Sequence, residues 1–127
     1  KIFAQKMSAE CSNGIFMATD TDIQEFEVEG FNSQATVSMT MFREFDEYIW
    51  SLEASNGSLK VLLPSAPAVG YHIKGSASLG DIKIGLTGIT YILNEKSNAE
   101  VQSFNYSSAA QHVKLMLSTS NGPLIVG

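Results

Sequence analysis

Apolar and polar residues alternate along most of this chain. Met7, Ala9 and Cys11 are interleaved with Lys6, Ser8 and Glu10. Phe26 and Val28 alternate with Glu25, Glu27 and Glu29, and Val37, Met39 and Met41 with Thr36, Ser38 and Thr40. Further rows run through Tyr48, Trp50, Leu52 and Ala54; Leu59, Val61 and Leu63; Tyr71, Ile73, Gly75 and Ala77; Ile82, Ile84 and Leu86; and Val113, Leu115 and Leu117. A period of two places one set of side chains inside and the other in water, so each row predicts a strand. Helical spacing with a capping residue in front is missing from every long stretch.

Turn signals separate the rows. Asn13-Gly14, Gly30-Phe31-Asn32, Asn56-Gly57, Leu79-Gly80-Asp81 and Asn121-Gly122 all join residues that tolerate a sharp reversal. The segments Pro64 to Gly70 and Leu93 to Glu100 read as loops, and Asn105 to Gln111 as a loop or a single helical turn. Several turns are copies of one another: "AECSNGIFMA", "LEASNGSLKV" and "LSTSNGPLIV" share a Ser-Asn-Gly corner. In "VEGFNSQATV" the Gly is displaced, and in "SASLGDIKI" Leu79 stands in place of Asn. The corners recur roughly every 20 to 25 residues, with the last interval about twice as long, which is the range of solenoid repeats.

Two architectures fit. An Asn-Gly pair between alternating strands is a hairpin signal, which gives an antiparallel β-sandwich of hairpins. Evenly spaced, near-identical corners favour an all-β solenoid instead, a β-helix-like stack of coils with Ser-Asn-Gly corners. In that reading Asn13, Gly14, Asn56, Gly57, Asn121 and Gly122 are structural turns, and their Asn side chains bond along the stack. A solenoid leaves unpaired strand edges at its ends, so end-to-end self-association or a missing neighbouring domain is expected.

The run "SLEASNGSLKVLLPSAPAVGYHIKGSASLGDIKI", with the closing "HVKLMLSTSNGPLIV", resembles the bacterial putative-adhesin family, domain of unknown function 4097. The elements that carry the resemblance are Ser55-Asn56-Gly57, Leu63-Pro64 and the terminal unit Val113 through Leu124, within a span from about Ser8 to Val126. The resemblance implies a β-solenoid exposed outside the bacterial cytoplasm, with no catalytic residues to carry over.

The chain has 127 residues, enough for one domain, and we expect residues 1–127 to form a single domain of a longer protein because Lys1 is no natural initiator. A net charge of −5 argues against nucleic acid and anionic membrane surfaces as partners. Apolar runs are too short to insert in a bilayer. Cys11, the sole cysteine, excludes an intrachain disulfide and reads as a small buried hydrophobe.

Candidate chemistry is sparse. Asp20, Asp22, Glu25, Glu27 and Glu29 offer oxygens for Ca²⁺ but lack an EF-hand spacing, and the three Glu read as a solvated stripe. His72 and His112 are far apart and read as surface residues rather than zinc ligands. Asn56-Gly57-Ser58 and Asn105-Tyr106-Ser107 match the glycosylation sequon. Tyr48 and Trp50 share the parity of Leu52 and so belong to the core. Phe42 and Phe45, with Asp46, are the surface candidates for binding. No metal or other cofactor is expected. The function expected is a non-enzymatic, adhesin-like surface or envelope module in a bacterium, with a binding or a purely structural role and an unknown protein or glycan partner. The alternative is a polysaccharide-active β-helix enzyme using the acidic cluster near Asp46 and Glu47.

Overall fold

The computed structural model describes residues 2–19, 21–38, 46–63, 69–86 and 88–127. Long and short strands alternate along the chain. A long strand, β1 (Ile2–Ser12), turns at the first corner into a short one, β2 (Ile15–Ala18). The same step recurs in β3 (Thr21–Phe31) and β4 (Gln34–Ser38), in β5 (Glu47–Ser55) and β6 (Leu59–Leu62), and in β7 (Val69–Ala77) and β8 (Ile82–Ile84). A hairpin follows, β9 (Ile89–Asn94) and β10 (Asn98–Ser103), and then a single 3-10 turn at Tyr106–Ser108. The chain ends with another long–short pair, β11 (Gln111–Thr119) and β12 (Leu124–Val126).

The long strands build a seven-stranded sheet in the order β1-β3-β5-β11-β7-β10-β9. The short strands build a five-stranded sheet, β2-β4-β6-β12-β8. All pairs in the small sheet are parallel, as are those from β1 through to β7 in the large one. The pairs of β10 with β7 and with β9 are antiparallel, so the large sheet is mixed.

This overturns the expected solenoid. A solenoid stacks its coils in chain order, but here the last unit is inserted between the third and the fourth: β11 pairs with both β5 and β7, and β12 with both β6 and β8. The antiparallel hairpin then closes one side of the large sheet. The molecule is a pair of facing sheets, one mixed and one parallel. The hairpin sandwich is overturned too, because each Asn-Gly corner joins two different sheets rather than two paired strands. Corner spacing reports where the chain turns and carries no information on which turned units lie side by side. The segment Leu93 to Glu100, read as a loop, is the tip of the β9–β10 hairpin, closed by the Glu95 N–H donating to the Asn98 carbonyl at 2.8 Å.

The space between the sheets is filled by the inward residues of the alternating rows. In β5, Tyr48, Trp50, Leu52 and Ala54 are buried while Glu47, Ile49, Ser51 and Glu53 face water. Trp50 is the centre of the core: its ring meets Phe26 edge-on with centroids 5.5 Å apart, and its indole N–H donates to the Ile23 carbonyl at 2.7 Å. That bond satisfies the one polar group of a buried indole. Leu59, Val61, Leu124 and Val126 of the short strands close the core from the other side. Cys11 is only half-buried, because its strand forms the edge of the sheet.

Candidate functional site

The corners form a column. Asn13, Asn32 and Asn56 adopt φ of 58°, 51° and 54°, the left-handed region in which Asn is among the best tolerated side chains. Their carboxamides form a chain of hydrogen bonds. Asn32 Nδ2 donates to Asn13 Oδ1 at 3.2 Å, Asn56 Nδ2 donates to Asn32 Oδ1 at 3.1 Å, and Asn121 Nδ2 donates to Asn56 Oδ1. The Asn56 side chain of the first sequon is thus engaged in this chain.

Glycine follows Asn for a separate reason. A Cβ on Gly57 would overlap the Ser33 backbone, one on Gly122 the Gly57 backbone, and one on Gly80 the Gly122 backbone. At these three corners the chain rests on a neighbour's main chain, with no room for a side chain between. Where the second corner carries Ser33 instead, Gly30 supplies the missing space, since a Cβ there would collide with the Ser33 hydroxyl oxygen. The displaced Gly is therefore a compensation within one unit. The column lines an open groove of about 720 Å³ bordered by Asn13, Asn32, Asn56 and Asn121. Its lining is taken up by turn-making, so we regard it as architecture.

The outer face of the large sheet has a different character. Glu10, Glu29, Glu53, Ser118 and Ser76 lie in register across five strands. Three carboxylates therefore follow one another at the strand spacing of about 4.8 Å. They border a shallow depression of about 280 Å³ together with Ser12, Phe31 and Ser55. Glu25 and Glu27 point the same way from β3, as the expected solvated stripe does. Lys6 of β1 stands in register with Glu25, and Lys114 and Lys74 lie further across the face; Ile49 sits between Glu25 and Lys114 and Met116 between Ser51 and Lys74, 45 % and 52 % exposed. Like charges directly opposite one another destabilise a sheet, so the fold carries the glutamate row at a cost in stability.

A third cluster sits where the 3-10 turn folds against the large sheet. His72 Nε2 lies 2.6 Å from Glu100 Oε2, with both side chains about one-quarter exposed. Tyr106 stands edge-on between the rings of His72 and His112, at centroid distances of 5.9 and 4.8 Å. His112 Nε2 also meets the Tyr106 carbonyl at 2.7 Å. The two histidines, distant in sequence, are thus close neighbours, and their ring contacts dock the turn. Nearby, burial pushes the Tyr71 phenol well above the ordinary tyrosine range.

Of the residues expected to bind, Phe42 and Phe45 lie outside the described residues. Asp46 is exposed, and its carbonyl accepts from the His112 N–H at 2.8 Å. It sits just before β5, at the opposite end of that strand from the corner Asn56, and so far from the glutamate row. Asp20 also falls outside the described residues. Among the described residues no three His, Cys, Asp or Glu side chains converge to hold a metal ion. The glutamate row was readable in the sequence: Glu10, Glu29 and Glu53 each stand three residues before a corner Asn. The sequence reading followed charge along β3 and not from unit to unit.

No family model matches the chain, and no curated protein matches it. Its fold is similar to that of a putative cell adhesion protein from Clostridium sporogenes ATCC 15579, known from a crystal structure at 1.95 Å. The TM-score is 0.72 at 15 % identity, over 96 % of this chain and 56 % of that one. The chain thus spans little more than half the length of that protein. The likeness shows a shared all-β fold. The named family suggested by the Ser-Asn-Gly units has no matching family model behind it.

Proposed function

We propose that this domain is a non-catalytic recognition module of a bacterial surface protein, engaging a protein or glycan partner with the outer face of its large sheet. The observation that carries the reading is the composition of that face. Its long strands present a broad surface with acidic groups on β1, β3 and β5, lysines on β1, β11 and β7, and the exposed Ile49 and Met116 among them. Apolar anchors bordered by charges of both signs suit a specific interface, the anchors supplying affinity and the charges orientation. The glutamate row points in the same direction, because it weakens the sheet and so needs a purpose other than folding. The adhesion label on the similar fold agrees with a surface role.

The test is a glycan and protein array probed with the wild-type chain and with Met116→Asp and Glu53→Lys. Met116→Asp falls on an exposed position and Glu53→Lys replaces a like-charge neighbour of Glu29 with an opposite one, so neither is expected to lower the melting temperature much. A hit that loses at least about tenfold in affinity with either variant, a difference of about 1.4 kcal/mol, supports the reading. The rival enzyme is tested in parallel by reducing-sugar release from polysaccharides. Turnover that is abolished by Asp46→Asn overturns the proposal.

A further inference from the structure

The two outer faces of the molecule carry opposite charge. The five short strands, "IFMA", "QATVS", "LKVL", "IKI" and "LIV", contain no Asp or Glu. Their outward row runs in register through Met17, Thr36, Lys60, Ile125 and Lys83, and both lysines are exposed. Asp81, immediately before β8, is the carboxylate nearest to the row in sequence. The large sheet is the reverse. Among the described side chains of β1, β3 and β5, Glu10, Glu25, Glu27, Glu29, Glu47 and Glu53 are exposed on its outer face, against Lys6. The net charge of −5 is thus unevenly divided between the two sheets.

The spacing of the charges corresponds as well. Lys60 and Lys83 are separated by one strand, β12, which places them about 10 Å apart. Glu10 and Glu53 are likewise separated by one strand, β3, and so stand at the same pitch. Sheets that pack face to face keep their strands within about 30° of each other, so rows of equal pitch stay in step across the contact. Each face also offers apolar side chains beside its charges. Ile125 lies between the two lysines, and Leu62 is exposed two residues from Lys60. On the large sheet Phe31, 56 % exposed, stands two residues from Glu29 on the same face. Lys60 and Lys83 belong to the half of the small sheet away from β2 and are positioned by pairings made within the chain.

We infer that the small-sheet face of one molecule docks on the large-sheet face of a second copy of this chain, with Lys60 and Lys83 meeting carboxylates of the glutamate row. Charge complementarity selects the occupant. A face with lysines and no carboxylate among its strands fits an acidic surface of the same pitch, and the large sheet of another copy is such a surface. An anionic glycan or lipid surface meets two lysines on a chain whose net charge repels it. The apolar side chains supply affinity, and the charges set orientation and register. The contact joins different surfaces of the two copies, so it leaves one face of each kind free and propagates as a stack. The inference rests on the outer-face reading above and names its partner, since the protein engaged by the large sheet is another copy of the chain.

The test is sedimentation of the 127-residue chain over a range of concentrations, at about 0.05 M and about 0.5 M salt. Reversible association is expected at low salt and is expected to weaken at least about tenfold at high salt. Two double variants place like charges at the contact: Lys60→Glu with Lys83→Glu, and Glu10→Lys with Glu53→Lys. Each is expected to raise the dissociation constant at least about tenfold. All four positions are exposed, and melting curves check that both variants fold. Mixing the two variants in equal amounts is expected to restore association, because Lys then meets Glu at every contact between unlike molecules. The inference is overturned by a chain that stays monomeric at low salt, by association that neither double variant weakens, or by variants that stay apart when mixed. An array hit that Glu53→Lys weakens, obtained with a chain that is monomeric, overturns the inference and leaves the recognition role of the outer face in place.

Discussion

The two ends of the sheet pair solve the same edge problem in opposite ways. Beyond β7, the chain folds back as an antiparallel hairpin, and β10 buries Val101 completely and Ala99 almost so. The exposed strand β9 takes the edge position, with a register shift opposite Glu100 and Val101 that interrupts a clean ladder. Such irregularity blunts an edge. At the other end β1 pairs with β3 along nearly its whole length and offers a long, regular outer edge beside a partly exposed core. One end is closed by a change of strand direction. The other keeps the parallel geometry of the interior up to its first strand. Position in the column, more than residue type, therefore sets what a given Asn or Gly contributes.

The largest expected contrast is among the glycines. Gly57→Ala and Gly122→Ala each force a Cβ into a neighbouring main chain, and backbone has no rotamer with which to yield. We expect a loss of about 3 kcal/mol or more for either. Gly14→Ala, whose added Cβ meets nothing nearer than Cys11 Sγ at 3.9 Å, is expected to cost less than about 0.5 kcal/mol. Urea unfolding of the three variants measures the difference directly. Equal costs at the three sites indicate that Gly serves backbone conformation throughout and that the column does not require close approach.

A smaller contrast concerns the amide chain. Asn56 both donates to Asn32 and accepts from Asn121, whereas among the described residues the Asn13 side chain only accepts. Substitution by Gly keeps positive φ available and removes only the side-chain bonds. Exposed bonds of this kind are worth about 0.5 kcal/mol each, so Asn56→Gly is expected to cost about 1 kcal/mol and Asn13→Gly about half as much. Denaturant midpoints measured side by side resolve the two.

Alkaline pH probes the strand next to the closed end. The buried Tyr71 phenol resists ionisation in the fold, while the unfolded chain ionises it near pH 10. Above that pH the unfolded state binds fewer protons than the native one. The contribution is therefore fully present below about pH 10 and declines as pH rises further. Tyr71→Phe is expected to flatten this decline, as judged by urea midpoints at about pH 9 and about pH 11.

These contrasts follow what could and could not be read from the chain. The corners, the inward rows and the Asn bonding were legible because each depends on residues at fixed local offsets. Trp50 and Tyr48 went to the core on strand parity alone. Strand order was not legible, because β11 joins β5 and β7 through pairings that no local offset encodes. The hairpin was hidden as well. "ITYILN" lacks alternation because β9, at the margin of the large sheet, is exposed along nearly its whole length, and the polar "NEKSN" after it looked like an ordinary loop. The glutamate row was present at a constant offset from each corner, and aligning the units on Asn reveals it.

The last contrast lies at the second corner, where the column departs from its own rule. Ser33 is buried, and among the described residues its hydroxyl has no hydrogen-bond partner. It occupies the space left by Gly30, so its methylene packs while its oxygen stays unsatisfied. Burying an unpaired hydroxyl is unfavourable, and removing it while keeping the Cβ recovers part of that cost. Ser33→Ala is therefore expected to raise stability by up to about 1 kcal/mol, a gain in an interior where most substitutions destabilise. Gly30→Ala is its counterpart and is expected to destabilise, because the added Cβ meets the Ser33 side chain. In the double variant Gly30→Ala with Ser33→Gly, the side chain is moved from one residue to the other. Recovery there beyond the sum of the single effects shows that the two positions act as one unit, and simple additivity shows that they do not.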